Sequence, residues 1–279
     1  MTIAGVLVLT PDAVMLRLVE ADHWTVLFWR SVFSAVCLFA FIAIANKTSP
    51  LAALRDLVKN GLFCAIFYAG ANLCFVYSIT HTTAANTLVI LASMPFIAAV
   101  MSVVLLRKNL AARTWLTICV GMAGILMVFW GRFGAGGADG DIVALFCALF
   151  MAATLMMINR NPKIDSLAAV SLGSVLAAMI ALFMGAGAAA PSLRDFVYLA
   201  ANGAIIIPIA MGLITYGPKL ISAPEVSLIL LLETVLGPLW VWWVLSEQPL
   251  AQTFLGGSLV IAAIVAHAWM SFRSSRASG

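Results

Sequence analysis

The stretch SLILLLETVLGPLWVWWVL, Ser227 to Leu245, is apolar except near its middle, where Glu233 sits. A carboxylate at the centre of a lipid-embedded helix costs roughly 2.5–3.5 kcal/mol on insertion scales. Glu233 is therefore expected to face a cavity or the interior of a bundle. There a carboxyl group has two chemical uses: it binds an ammonium group, or it takes up a proton. The alternative is a packing role, hydrogen-bonded between helices. Asp12 and Arg30 are also charged residues inside apolar stretches. In a hairpin that turns near Ala21, each lies nine residues from the turn, at similar depth. An ion pair lessens the penalty each carries alone. That favours a structural or gating role for Asp12 and Arg30 over direct contact with a substrate.

A second set is polar or aromatic: Tyr68, Asn72 and Tyr77, then His81, Asn86, Tyr216 and Ser227. Polar side chains within spans turn toward protein or water. A cavity with aromatic faces and few fixed charges suits small amphipathic molecules. For any one of these residues, a hydrogen bond between helices is an equal alternative. Tyr77 and Tyr216 occupy equivalent repeat positions and are expected to approach a pseudo-twofold axis from both sides. Pro95, Pro208 and Pro238 fall within spans. A mid-helix proline removes a hydrogen bond and kinks the helix; such kinks open a cavity or serve as hinges.

Other chemistry finds little support. Cys37, Cys64, Cys74, Cys119 and Cys147 all lie in apolar runs, and none forms a C-x-x-C pair. Small buried side chains are expected there, with no metal site and no disulfide framework. His23, His81 and His267 form no H-E-x-x-H, and there is no G-x-S-x-G. No catalytic residue, cofactor or metal is expected. All five lysines lie at or near loops, which disfavours a retinal Schiff base. No filter-like sequence points to a channel. No G-x-x-x-x-G-K-[ST] is present, so work must draw on a solute or ion gradient.

The elements that must position these residues follow from composition. Hydrophobic residues make up 64% of 279, charged residues 9%, and mean hydropathy is +1.11. Soluble domains carry about a quarter charged residues. The chain reads as an integral membrane protein. Its apolar runs are long and do not alternate, so they read as helices of roughly 20 residues rather than barrel strands. Ten spans are expected, near 2–19, 24–46, 57–79, 83–106, 110–131, 140–160, 165–189, 194–217, 222–245 and 250–272. The glycine-rich GRFGAGGADG lies near the midpoint and suits a linker. The N-terminus lacks a basic region and a convincing A-x-A site, so no cleavable signal peptide is expected.

Sliding the second half over the first by 139 positions lays YGPKLISAPEVSLIL over YSITHTTAANTLVIL without a gap. Tyr216 then meets Tyr77, Ala223 meets Ala84, Leu245 meets Leu106 and Thr253 meets Thr114. Each half holds five spans. An odd number makes the second half enter the membrane from the opposite side, which is an inverted repeat. In many transporter folds such a repeat places the substrate near the bilayer midplane. With the N-terminus in the cytoplasm, eleven of the fifteen basic residues fall in cytoplasmic segments; Arg17, Arg30, Arg132 and Arg194 are the others. This is the positive-inside pattern, with both termini inside.

Ten spans in two halves, with these loops, resemble the drug/metabolite transporter superfamily, and within it the ten-helix EamA-type exporters. The chain looks like the branch that exports amino acids and related metabolites, and is similar to the aromatic amino acid exporters. The resemblance covers nearly the whole chain. It is carried by Arg30 early in the second span, Pro95 in ILASMPF, Glu233 in the ninth span, Glu247 after it, and Gly256 and Gly257 opening the tenth. Thr234 stands where the family often has proline, and Lys108 is the non-acidic repeat mate of Glu247.

The resemblance implies an all-α fold of ten transmembrane helices as two inverted five-helix repeats. The divisions expected are 1–131, a linker at 132–139, a second repeat at 140–272 and a cytoplasmic tail at 273–279. It implies a non-enzymatic secondary transporter of the cell inner membrane that exports small metabolites, foremost amino acids, by alternating access. Glu233, Tyr68, Asn72, Tyr77, His81, Asn86, Tyr216 and Ser227 are the expected substrate-binding residues. Asp12, Arg30, Pro95, Pro208 and Pro238 are the expected structural or gating ones. The partners expected are a small-molecule substrate, membrane lipid and protons, with no nucleic acid. The protein is expected to be a monomer or a weak homo-oligomer.

Overall fold

A computed structural model describes residues 1–46, 61–82, 84–107, 110–129, 138–186, 190–245, 255–256, 258–263, 265–266 and 269. Among these residues no strand occurs. In a medium without water every backbone group must find its partner within its own segment, and helices do this. The first span comprises α1 (Thr2–Leu9) and α2 (Asp12–Arg17), and α3 (His23–Asn46) follows. The third span is α4 (Leu62–His81). The fourth comprises α5 (Ala84–Leu91) and α6 (Met94–Leu106), and α7 (Ala112–Phe129) completes the first half. The second half begins with α8 (Ala138–Arg160) and α9 (Ser166–Phe183). Its third span is α10 (Leu193–Ala201), a π turn (Asn202–Ile206), α11 (Ile207–Tyr216) and a closing 3₁₀ turn (Gly217–Lys219). Next comes α12 (Ala223–Leu245), and helical residues between 255 and 269 belong to a tenth span. Five segments among the described residues are long and apolar enough to cross a membrane: His23–Ile44, Leu62–His81, Ala138–Arg160, Ser166–Phe183 and Leu193–Lys219.

Side-chain caps set where several helices begin. Asp22 Oδ1 accepts the N–H groups of Trp24 and Thr25 at 2.9 and 3.1 Å and starts α3. Asp165 Oδ1 does the same for Leu167 and Ala168 and starts α9. Ser222 and Glu225 form a capping box at the head of α12: Glu225 Oε2 accepts the Ser222 N–H at 2.9 Å, and Ser222 Oγ accepts the Glu225 N–H at 3.4 Å. Arg30 follows the α3 cap by about two turns, and Glu233 follows Glu225 by about two.

The packing has the pattern of a pseudo-twofold. α4 packs on α8, and α1 packs on α11: third span on sixth, first on eighth. These pairings exchange when the halves are exchanged. The second span, α3, packs on the seventh, α9, and α6 of the fourth packs on α12, the ninth. These two pairings map onto themselves. Small residues allow the close approaches. A methyl group added at Gly173 would lie 2.7 Å from the Ala65 carbonyl oxygen and 2.8 Å from the Tyr68 ring, so only glycine lets α9 seat against Tyr68.

Three spans are interrupted, each beside a proline. Pro11 has no N–H to give the Leu7 carbonyl, and Thr10 Oγ1 donates to that oxygen instead, at 2.8 Å. The chain then restarts as α2 with Asp12. Ser93 Oγ likewise donates to Ile90 O at 2.6 Å before Pro95 opens α6. Pro208 follows the π turn. Pro95 and Pro208 thus stand at the first turn of a restarted helix, where the missing donor costs least. Pro208 still lies within one helical segment, Leu193–Lys219, just past its π turn. α12 runs unbroken past Pro238, whose side chain lies outside the described residues. Residues 130–137 and 270–279 also lie outside them.

Candidate functional site

The interruptions converge on one cavity of about 90 Å³ between the halves. Its polar wall is formed by Asp12, Arg30, Tyr68, Asn72, Glu233 and Thr234. Leu9, Phe75, Leu91, Met94, Met151, Met211 and Leu230 contribute apolar surface. Both halves supply residues, as the inverted repeat requires. The methionines give walls that adapt to different shapes.

The restart at Pro11 places Asp12 at the head of α2, and α3 brings Arg30 to it. Arg30 Nη2 donates to Asp12 Oδ2 at 3.0 Å. Asn202, at the first position of the π turn, donates from Nδ2 to Asp12 Oδ1 at 2.6 Å. Asp12 and Arg30 are 1% and 4% exposed. The Arg30 guanidinium carbon lies 5.5 Å from the Phe75 ring centre, a cation–π contact. Gly203 makes this arrangement possible, since a methyl group there would lie 2.5 Å from the Arg30 carbonyl oxygen and 2.8 Å from Phe33 Cβ. Irregular helix at a site of buried charge is a recurring device for re-aiming side chains.

Glu233 faces the same cavity, near enough to Asp12 and Arg30 for both to act on it electrostatically. Among the described residues it has no hydrogen-bond or ion-pair partner. Tyr68 lines the cavity from α4, and Asn72 lies one turn on, its Nδ2 donating to Ser31 Oγ at 3.0 Å. The chemistry on offer is one compensated ion pair, one carboxyl group without a partner, a phenol and an amide, set in an apolar wall. Groups of this kind are chemically suited to an ammonium group or a proton. Among the described residues no group of three or more His, Cys, Asp or Glu is placed to hold a metal ion.

Four expected site residues lie elsewhere. Tyr77 and His81 stack at a ring separation of 3.8 Å near the end of α4, with His23 edge-on to His81 at 4.8 Å. Tyr77 Oη donates to Asp139 Oδ2 at 3.3 Å, at the start of α8. Tyr216 is 43% exposed and lies under the Lys219 ammonium, 5.7 Å away. Asn159, near the other end of α8, donates to Pro218 O at 2.8 Å in that neighbourhood. The two tyrosines therefore lie at opposite ends of α8 and do not meet at an axis. The physical reason is the inversion itself, which carries equivalent positions away from the midplane to opposite faces. Ser227 is fully buried and donates to Ala223 O at 2.9 Å within its own helix. The Asn86 side chain lies outside the described residues.

Sequence reasoning left Met151, Met211, Cys147 and Thr234 out of the cavity wall. The first two look like packing residues anywhere in an apolar chain. Cys147 Sγ donates to Ala71 O at 3.2 Å, as a buried thiol does in any helix contact.

The chain resembles the uncharacterized transporter YetK of Bacillus subtilis (strain 168), 26% identical over 151 residues, or 50% of this chain and 44% of that one. The match thus spans less than half of YetK's length. It also resembles the pseudopaline exporter CntI of Pseudomonas aeruginosa (strain UCBPP-PA14), 22% identical over 244 residues, 86% of this chain and 84% of that one. One crystal structure of a protein 14% identical in sequence superposes with a TM-score of 0.81, covering 98% of this chain and 96% of that one, which shows the shared fold. The model of the EamA-like transporter family matches residues 3–130 and again 139–268. With two repeats matched over almost its whole length, this chain belongs to the EamA-like transporter family.

Proposed function

We propose that this protein exports small metabolites, foremost amino acids with aromatic or other apolar side chains, from the cytoplasm by alternating access. The observation that carries this reading is the cavity itself: a partnerless Glu233 beside the Asp12–Arg30 pair, enclosed by both halves and flanked by three interrupted helices. Rocking of one half against the other exposes such a midplane site to each side in turn. Glu233 receives the substrate ammonium, or a proton when the site is empty. The methionine, leucine and Phe75 wall takes the apolar side chain. The exporter relationship supports outward transport, and the basic loops support an inner-membrane protein with both termini cytoplasmic. The two matched repeats support division near 131–139, with each half moving as a unit. A monomer suffices for this mechanism.

The test is counterflow of a panel of labelled amino acids in proteoliposomes, with and without a pH gradient. Saturable, trans-stimulated uptake of apolar amino acids, faster with a pH gradient, is expected. Uptake that grows linearly with concentration, or none for any amino acid, overturns the reading.

A further inference from the structure

Three buried methionines lie on the cavity wall: Met94, Met151 and Met211. Their residue type says nothing of a cavity, but their register does once the wall is known. Under the 139-residue shift of the internal repeat, Asp12 falls on Met151, Asn72 on Met211 and Met94 on Glu233. All six line the cavity. Leu91 and its mate Leu230 line it too, so the wall keeps the register of the repeat. Three polar positions in the wall thus each have a methionine at the pseudo-twofold equivalent. Only 13 of the 279 residues are methionine, so composition alone does not account for three such matches. The packing separates the two sets. α2, which carries Asp12, packs on α12, which carries Glu233. The equivalent contact sets α8, with Met151, against α6, with Met94. The cavity therefore has a charged pole and, related to it by the pseudo-twofold, a methionine pole.

We propose that Met94 and Met151 determine specificity: they receive the apolar side chain of a solute whose ammonium group lies at Glu233, and so read that side chain's size. A thioether has no donor and only a weak acceptor, so this pole satisfies no charged or strongly polar end. It is unbranched and turns about three bonds, so it moulds to linear, branched and aromatic groups. The backbone sets how far it yields. Met94 stands where α6 restarts, between Ser93 and Pro95. Met151 lies one turn on from Cys147, whose Sγ donates to Ala71 O at 3.2 Å and holds α8 against α4. This rests on the amino-acid reading above and names where, within that site, one side chain is told from another.

The experiment is counterflow of labelled L-phenylalanine and labelled L-alanine in proteoliposomes holding the full chain, read as the ratio of their kcat/KM values. Met94→Phe and Met151→Phe add bulk at the pole, and each is expected to lower the phenylalanine-to-alanine ratio at least about tenfold. Met94→Ala and Met151→Ala remove bulk, and each is expected to raise it. Opposite shifts from opposite changes of volume are not the mark of a merely structural residue. Met179→Phe, on an exposed face of α9, is expected to leave the ratio within about twofold. Where a Phe variant fails to fold, its Ala counterpart carries the test. Ratios that stay within about twofold in the folded Met94 and Met151 variants overturn the assignment and leave amino-acid export standing. A fall in Met179→Phe as large as in Met94→Phe overturns it too. Transport of neither amino acid by the unaltered protein overturns both.

Discussion

Two regions of this molecule gather polar and aromatic side chains, and they differ in how those groups are satisfied. Beside the central cavity, Arg30 Nε and Nη1 and the Glu233 carboxyl group have no hydrogen-bond partner among the described residues, in a place where leaving them so is costly. At the end of α4, Tyr77 reaches Asp139, His81 Nδ1 bonds Tyr77 O at 2.9 Å, and Thr82 Oγ1 donates to Asp141 at 2.7 Å. The second cluster completes itself and ties α4 to α8. The first does not complete itself among the described residues. The aromatic and histidine side chains at the end of α4 thus have structural partners that the cavity groups lack.

The sharpest way to break this contrast is to remove one charge from each region. Asp12→Asn leaves Arg30 buried without its counter-charge, and breaking a buried pair costs about 3–5 kcal/mol. We expect a large loss of folded protein and a much lower melting temperature in detergent. Asp139→Asn is expected to leave the melting temperature unchanged, because its carboxylate is exposed and a surface contact contributes little. Equal losses in the two variants would erase the distinction.

A smaller effect tests how the cavity is built. Gly203→Ala forces a methyl group against the Arg30 carbonyl and Phe33. Overpacking of this kind costs about 1–3 kcal/mol. It should also separate α3 from the π turn, and so loosen the Asn202–Asp12 bond. Thermal unfolding checks the cost. Smaller again is Thr10→Val, which removes the hydroxyl that donates to Leu7 O and accepts the Trp240 N–H at 2.8 Å. About 1–3 kcal/mol is expected for the orphaned groups, at the low end because neighbouring helix atoms adjust.

Much of this was legible in the sequence, for identifiable reasons. Glu233, Asp12 and Arg30 stood out because charge inside an apolar run has few physical explanations. The hairpin count placed Asp12 level with Arg30, and the 139-residue repeat with an odd span number implied inversion. Residue type alone points Tyr77, Tyr216 and His81 to the cavity, but depth along the span does not. Each sits at a helix end, and an inverted repeat separates such positions. The role of Pro11 was hidden for another reason. A proline beside a threonine reads as an ordinary break, and only the folded chain shows that Thr10 takes over the lost hydrogen bond while Asp12 heads the next helix. Met151, Met211 and Cys147 carried no signal that distinguishes a cavity wall from packing.

The central claim is that the solute passes through the Glu233 cavity and not by way of the aromatic cluster at the end of α4. Its most direct test is labelled phenylalanine counterflow in proteoliposomes, normalised to folded protein, for the unaltered chain, Glu233→Gln and Tyr77→Phe. We expect Glu233→Gln to lower the rate at least about tenfold, equivalent to about 1.4 kcal/mol, and to abolish its response to a pH gradient. Tyr77→Phe is expected to stay within about twofold, as suits an exposed contact. An unchanged rate and pH response in Glu233→Gln, with loss in Tyr77→Phe, would contradict the assignment of the cavity as the transport site.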